Sequence, residues 1–203
     1  MGKGLHRGIA LAAGLAFAGA ASADERPYLD AMFGPAPAAV SAAPQAGLPS
    51  QPRYAVRPDL ARQEVAYASG ETPGTIVVDT QNHHLYLILG EGRALRYAIG
   101  VGREGFGWSG TLPVTAKREW PSWTPTPEMH ARQPGLPAVV PGGPANPLGA
   151  RALYLGDTLY RIHGTNEPWT VGTDVSSGCI RMTNADVADL YARVSVGAQV
   201  IVM

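Results

Sequence analysis

From Thr72 onward the chain is written in short runs of β-branched and aromatic residues. "TIVVDT" (75–80), "HLYLIL" (84–89) and "LRYAIGVG" (95–102) are separated only by "QNH" and "GEGRA", which predicts a β-meander with hairpin connections. Further strands are predicted at 111–120, at 150–164 with a turn at Gly156 and Asp157, and at 198–203. One segment has a different period: Val187, Leu190, Tyr191 and Val194 fall at i, i+3, i+4 and i+7. Thr183, with Asp186 three residues later, opens this helix like a capping box, and Gly197 closes it. Cys179 then lies on the loop feeding a helix N-terminus, where backbone N–H groups and the helix dipole favour an anion.

Upstream of residue 72 the periodicity disappears. Residues 24–70 hold seven prolines amid alanine, with no sustained period of two or 3.6, so 24–71 is predicted to be a largely extended linker. Within it, "RQEVAY" (62–67) can add an edge strand. Residues 1–23 carry a basic start (Lys3, Arg7), the apolar run "IALAAGLAFAGAA" and a final "ASA", which is the layout of a cleavable signal peptide. The run is too short for a membrane span. The expected organisation is therefore signal peptide 1–23, linker 24–71 and one domain over 72–203, exported to the periplasm with no membrane span.

Charge narrows the class of partner. The chain balances 16 basic against 16 acidic side chains, and cleavage removes Lys3 and Arg7 but no acid, leaving 14 against 16. Such a balance argues against a nucleic-acid partner. The single cysteine, Cys179, cannot form an intrachain disulfide, so a lone thiol in an oxidising compartment calls for a chemical role. A thiol with a pKa of about 8.5 needs a base or cation to react at neutral pH. His163, at the end of a predicted strand in "YRIHGTN", is the best placed histidine. His83 and His84 are adjacent, so on a strand they point to opposite faces, a poor shared metal site, and surface placement near a hairpin turn is the better expectation. "EWPSWTPTPEM" reads equally as a rim over a groove or a stiff surface loop, and "REGFGWSGT" lacks the ending of a phosphate loop. No metal or nucleotide signature is present, and no cofactor is expected.

The stretch "IHGTNEPWTVGTDVSSGCIRMTN" resembles the L,D-transpeptidase (YkuD) family, periplasmic proteobacterial branch. His163 and Gly164, then Ser176, Gly178, Cys179, Ile180 and Arg181, match its signature; Ser177 stands where many members carry a second histidine. The resemblance extends over 72–203. It implies a mainly β protein, a curved β-sandwich with one or two short helices, that acts without a cofactor on peptidoglycan stem peptides. Cys179 is then the nucleophile, His163 the base and the Gly164 carbonyl the third member of the triad. Backbone N–H groups of Ser177, Gly178 and Cys179 are expected to form the oxyanion hole. Ser176 either touches substrate or braces the turn; Arg181 either grips a substrate carboxylate or holds its own loop. The implied product is a thioester passed to an amine of a second stem peptide, of an outer-membrane protein or lipoprotein, or of a free D-amino acid, by an enzyme expected to be a monomer.

Three other readings fit the sequence. They are an L,D-carboxypeptidase or endopeptidase of the same fold with water as acceptor, a non-catalytic cell-wall binding module, and a secreted protein whose thiol pairs between molecules.

Overall fold

The computed structural model describes residues 60–203. The expected signal peptide, and the expected linker as far as residue 59, lie outside the described residues. Among these residues there are eleven strands: β1 (Gln63–Ala66), β2 (Ile76–Asp79), β3 (His84–Gly90), β4 (Arg93–Ala98), β5 (Val101–Gly102), β6 (Gly110–Glu119), β7 (Arg151–Leu155), β8 (Arg161–His163), β9 (Asp174–Ser176), β10 (Ile180–Arg181) and β11 (Gln199–Val202). Among the described residues two helices join them, α1 (Pro127–Arg132) and α2 (Asn184–Arg193), with a 3-10 turn at Pro168–Thr170.

Nine strands form one mixed sheet in the order β1-β4-β3-β2-β11-β6-β7-β8-β10, and β5 pairs with β9 separately. The long strand β6 belongs to both halves of the sheet. Gly110–Pro113 pairs with β11, the rest pairs with β7, and the register shifts between Val114 and Ala116. Such a shift bends a strand and increases its twist. The halves close on one core, because Ile76, Val78, Leu85 and Leu87 from one share a cluster with Leu153, Leu155, Ile162 and Ile180 from the other. Helix α2 covers this core with Val187 and Leu190 fully buried and Val194 nearly so. The result is a folded-over β architecture with few helices, as the sequence implies.

The helix ends sooner than Gly197 suggests. Its last residue is Arg193, and Val194 is already extended. Lys117 of β6 donates to the carbonyls of Tyr191 and Val194, both at 2.6 Å, so the helix end is satisfied from the sheet. The segment 62–67 does supply an edge strand, β1, in antiparallel register with β4. Arg62 beside it pairs with Asp186 and Asp189 of α2 at 3.5 and 3.3 Å. The tryptophan- and proline-rich stretch contains helix α1, opened by a Thr126 cap, which the composition did not signal. The loop beyond it is knotted by Asn146, whose fully buried amide donates to the carbonyls of Pro121, Val140 and Pro141.

Among the described residues no helix is long and apolar enough to cross a membrane.

Candidate active site

Strand register brings the two sequence-distant motifs together. β8 and β10 run parallel, with Ile162 opposite Ile180 and His163 opposite Arg181. Ile162 and Ile180 point into the core. By alternation, Arg161, His163 and Arg181 share the other face, and Cys179 precedes β10 level with Arg161.

His163 is held on two sides. Nδ1 donates to the carbonyl of Gly164 at 2.5 Å, which fixes the tautomer and leaves Nε2 as the free ring nitrogen. The backbone around it is tied to α2 through a residue that sequence reasoning did not single out, Asn184. Its Oδ1 accepts from the N–H of Ala150 at 2.9 Å and of Thr165 at 3.2 Å. A Cβ on Gly149 or Gly164 would collide with that oxygen, so both positions admit only glycine without movement.

The Ser176–Cys179 turn is braced differently. Ser176, only 5 % exposed, donates through Oγ to the Cys179 carbonyl and accepts from the Gly178 N–H. Its hydroxyl is thus spent inside the turn, which is the bracing arrangement rather than a free substrate contact. The Gly178 N–H, being engaged, is also lost to the expected trio of oxyanion donors; Ser177 and Cys179 carry the other two N–H groups of the turn. Gly178 has φ +104°, and a Cβ there would meet the Tyr160 ring at 2.7 Å. Trp108 stacks on Tyr160, centroids 4.4 Å apart, and donates from Nε1 to the Gly178 carbonyl at 2.9 Å.

Cys179 lies on the segment leading to α2, as the sequence suggested, but not at the helix N-terminus itself. β10 intervenes, and the first turn of α2 is capped by Thr183, which accepts from the Asp186 N–H at 3.1 Å. The half-buried thiol donates to the Leu159 carbonyl at 3.6 Å. Burial pushes the thiol above its ordinary range, while Arg161 and, less strongly, Arg181 pull it down. Burial lowers His163 to about 3; the Gly164 carbonyl opposes this and the guanidinium groups of Arg181 and Arg161 reinforce it. Both shifts favour the uncharged forms, a thiol and a neutral imidazole.

Arg181 spends Nη1 on Glu167 at 3.1 Å and on Thr170 at 3.0 Å, fastening the loop between β8 and β9. Arg161, absent from the sequence expectations, faces the thiol; its position two residues before His163 on one strand was the signal available. His83 lies in the β2–β3 hairpin turn with φ +54°, and its Nε2 is 2.8 Å from Asp174. A cleft of about 300 Å³ adjoins the turn, walled by Trp108, Gly178, Ile180 and Asp174 among others. Neither Cys179 nor His163 borders it.

Comparison with known proteins identifies the family of the domain. A family model described as the L,D-transpeptidase catalytic domain (YkuD) matches residues 73–202. The probable L,D-transpeptidase YbiS of Escherichia coli K12 is 43% identical over 134 residues, covering 62% of this chain and 43% of that protein. The chain thus spans less than half the length of that curated relative. A Brucella melitensis structure described as a probable carnitine operon oxidoreductase is 46% identical, with TM-score 0.50 over 73% of this chain and 96% of that one. The catalytic domain of an E. faecium L,D-transpeptidase, 22% identical, shares the fold alone, with TM-score 0.51 over 66% of this chain and all of that one.

Proposed function

The chain belongs to the L,D-transpeptidase catalytic domain family, and from that premise we propose that it is an exported peptidoglycan L,D-transpeptidase with Cys179 as nucleophile. The observation that supports this reading is the parallel β8–β10 register, which pairs His163 with Arg181, two residues after Cys179, together with the commitment of His163 Nδ1 to the Gly164 carbonyl.

The reaction runs in two halves. Sγ of Cys179 attacks the carbonyl carbon of the third residue of a donor tetrapeptide while Nε2 of His163 takes the thiol proton. Backbone N–H groups of Ser177 and Cys179 face the oxyanion of the tetrahedral intermediate. Collapse breaks the bond to the fourth residue, whose amine leaves with the proton from His163, and a thioester remains. An acceptor amine then gives its proton to His163 and takes the acyl group, returning the thiol. The Gly164 carbonyl keeps the imidazole in one tautomer throughout. Gly178 and Ser176 shape the turn, and Arg181 holds the loop that walls it.

The acceptor is an amine of a second stem peptide or of an envelope protein or lipoprotein; with water in its place the same site becomes a carboxypeptidase or endopeptidase. Residues 1–23 act as the periplasmic export signal and 24–71 as the tether. Mass spectrometry of purified reactions on a tetrapeptide-bearing muropeptide tests the reading. Wild-type protein is expected to release the fourth residue and form a new amide, and Cys179→Ser to do neither. Turnover by Cys179→Ser at wild-type rate would overturn the thioester route, and release without a new amide would assign the hydrolase.

A further inference from the structure

The two guanidinium groups near the thiol are in different states. Arg181 is bound to Glu167 and Thr170. Arg161 has no carboxylate ion pair among the described residues; its guanidinium lies over the Tyr154 ring, 5.2 Å from the centroid. Its Nε is buried without a hydrogen-bond partner. Strand alternation puts Arg161 on the His163 face of β8, and the parallel register sets it level with Cys179. Of the charges around the sulfur, Arg161 does most to favour the thiolate.

We propose that Arg161 is the cation that holds the negative charge of Cys179 once the thiol is deprotonated, and so sets how much reactive thiolate the free enzyme contains. The proposal rests on the reading of Cys179 as nucleophile. The proton passes from Sγ to Nε2 of His163, the electron pair stays on sulfur, and Arg161 keeps its protons. Arginine suits the task because it stays charged at every working pH, and a planar guanidinium stacked on an aromatic ring cannot swing away as an ammonium can. His163 cannot do this in advance, because burial keeps it neutral in the resting state.

Cys179 is the only cysteine, so iodoacetamide alkylation of the full chain reads one thiol. Its rate is measured against pH in wild type, Arg161→Gln, Arg161→Leu, Arg161→Lys and Arg181→Gln, with circular dichroism as the fold control. Loss of the charge is expected to raise the alkylation midpoint by about one pH unit and slow alkylation near neutrality by about tenfold. Arg161→Lys should recover most of that shift, and Arg181→Gln should move the midpoint less than Arg161→Gln. Should the glutamine variant fail to fold, Arg161→Leu keeps the stem packing on Tyr154 and carries the same expectation. A midpoint equal to wild type in either neutral variant overturns the proposal even if turnover falls, as does a larger shift from Arg181→Gln. Turnover by Cys179→Ser would instead sink the parent reading, whatever the alkylation profiles show.

Discussion

His163 and Cys179, the proposed base and nucleophile, are held by different kinds of support. His163 is fixed by its own neighbour in sequence and, through Asn184, by the first turn of a helix packed on the core. Cys179 is fixed by a turn that closes on its own Ser176 and leans on Trp108, a residue 71 positions earlier in the chain. One support is buried and continuous with the core; the other is assembled from loops at the edge of the sheet. Damage to the first should therefore appear as lost stability, and damage to the second as lost turnover in a protein that still folds.

The sharpest break comes from Asn184→Ala, which strands the N–H groups of Ala150 and Thr165. Each unsatisfied buried donor costs about 1–3 kcal/mol, so thermal unfolding should fall by several degrees or more, with Asn184→Asp, which keeps an acceptor, recovering most of it. Equal melting of the alanine variant and wild type would remove the distinction between the two supports. On the other side, Gly178→Ala meets both a positive φ and the Tyr160 ring. It should lower kcat/KM by tenfold or more with a smaller change in Tm; a variant that simply unfolds would show the turn to be part of the core.

Acid provides a third lever. His163 titrates near 3 in the folded state but near 6.5 when unfolded. The unfolded chain therefore binds the extra proton between those values, and this group's stabilising contribution is complete above about pH 6.5 and falls as pH drops toward 3. Asp186, raised by burial, opposes the trend. His163→Gln should flatten the acid limb of a Tm-against-pH curve; an unchanged slope would mean His163 is not the group responsible. Smaller still is Trp108→Phe, which keeps the stack on Tyr160 but loses the donor to Gly178. A loss of about 1 kcal/mol in transition-state stabilisation, roughly fivefold in kcat/KM, is expected with little change in Tm. Arg181→Lys should act smallest of all in one respect: its effect should be equal on stem peptides with a free and an amidated carboxylate, because Nη1 is bound to Glu167. A large coupling between the residue and that carboxylate would restore substrate binding to Arg181.

What the sequence disclosed follows the same division. Strands such as 76–79 and 84–90 were legible because alternation and β-branching are local properties, and the helix because Val187, Leu190 and Val194 recur on one face. His163, Gly164 and Cys179 were legible because the motif keeps them in short runs. Asn184, Trp108 and Arg161 were not, since each acts through a contact made only after the sheet folds over. The short strand between Cys179 and the helix was hidden for a related reason. Two residues of parallel strand, too short to leave a pattern, stand between the thiol and the helix.

Strand β1 precedes the family match at residue 73, and its place at the end of the sheet bears on how molecules avoid one another. As the outermost strand it is four residues long and carries Glu64, which pairs with Arg93 of β4 at 2.6 Å. A chain trimmed to the family boundary would trade that short, charged border for the six-residue border of β4, "RALRYA", with its backbone groups unpaired. Open borders of that kind invite edge-to-edge aggregation, so the few residues ahead of the recognised domain serve as its selvedge.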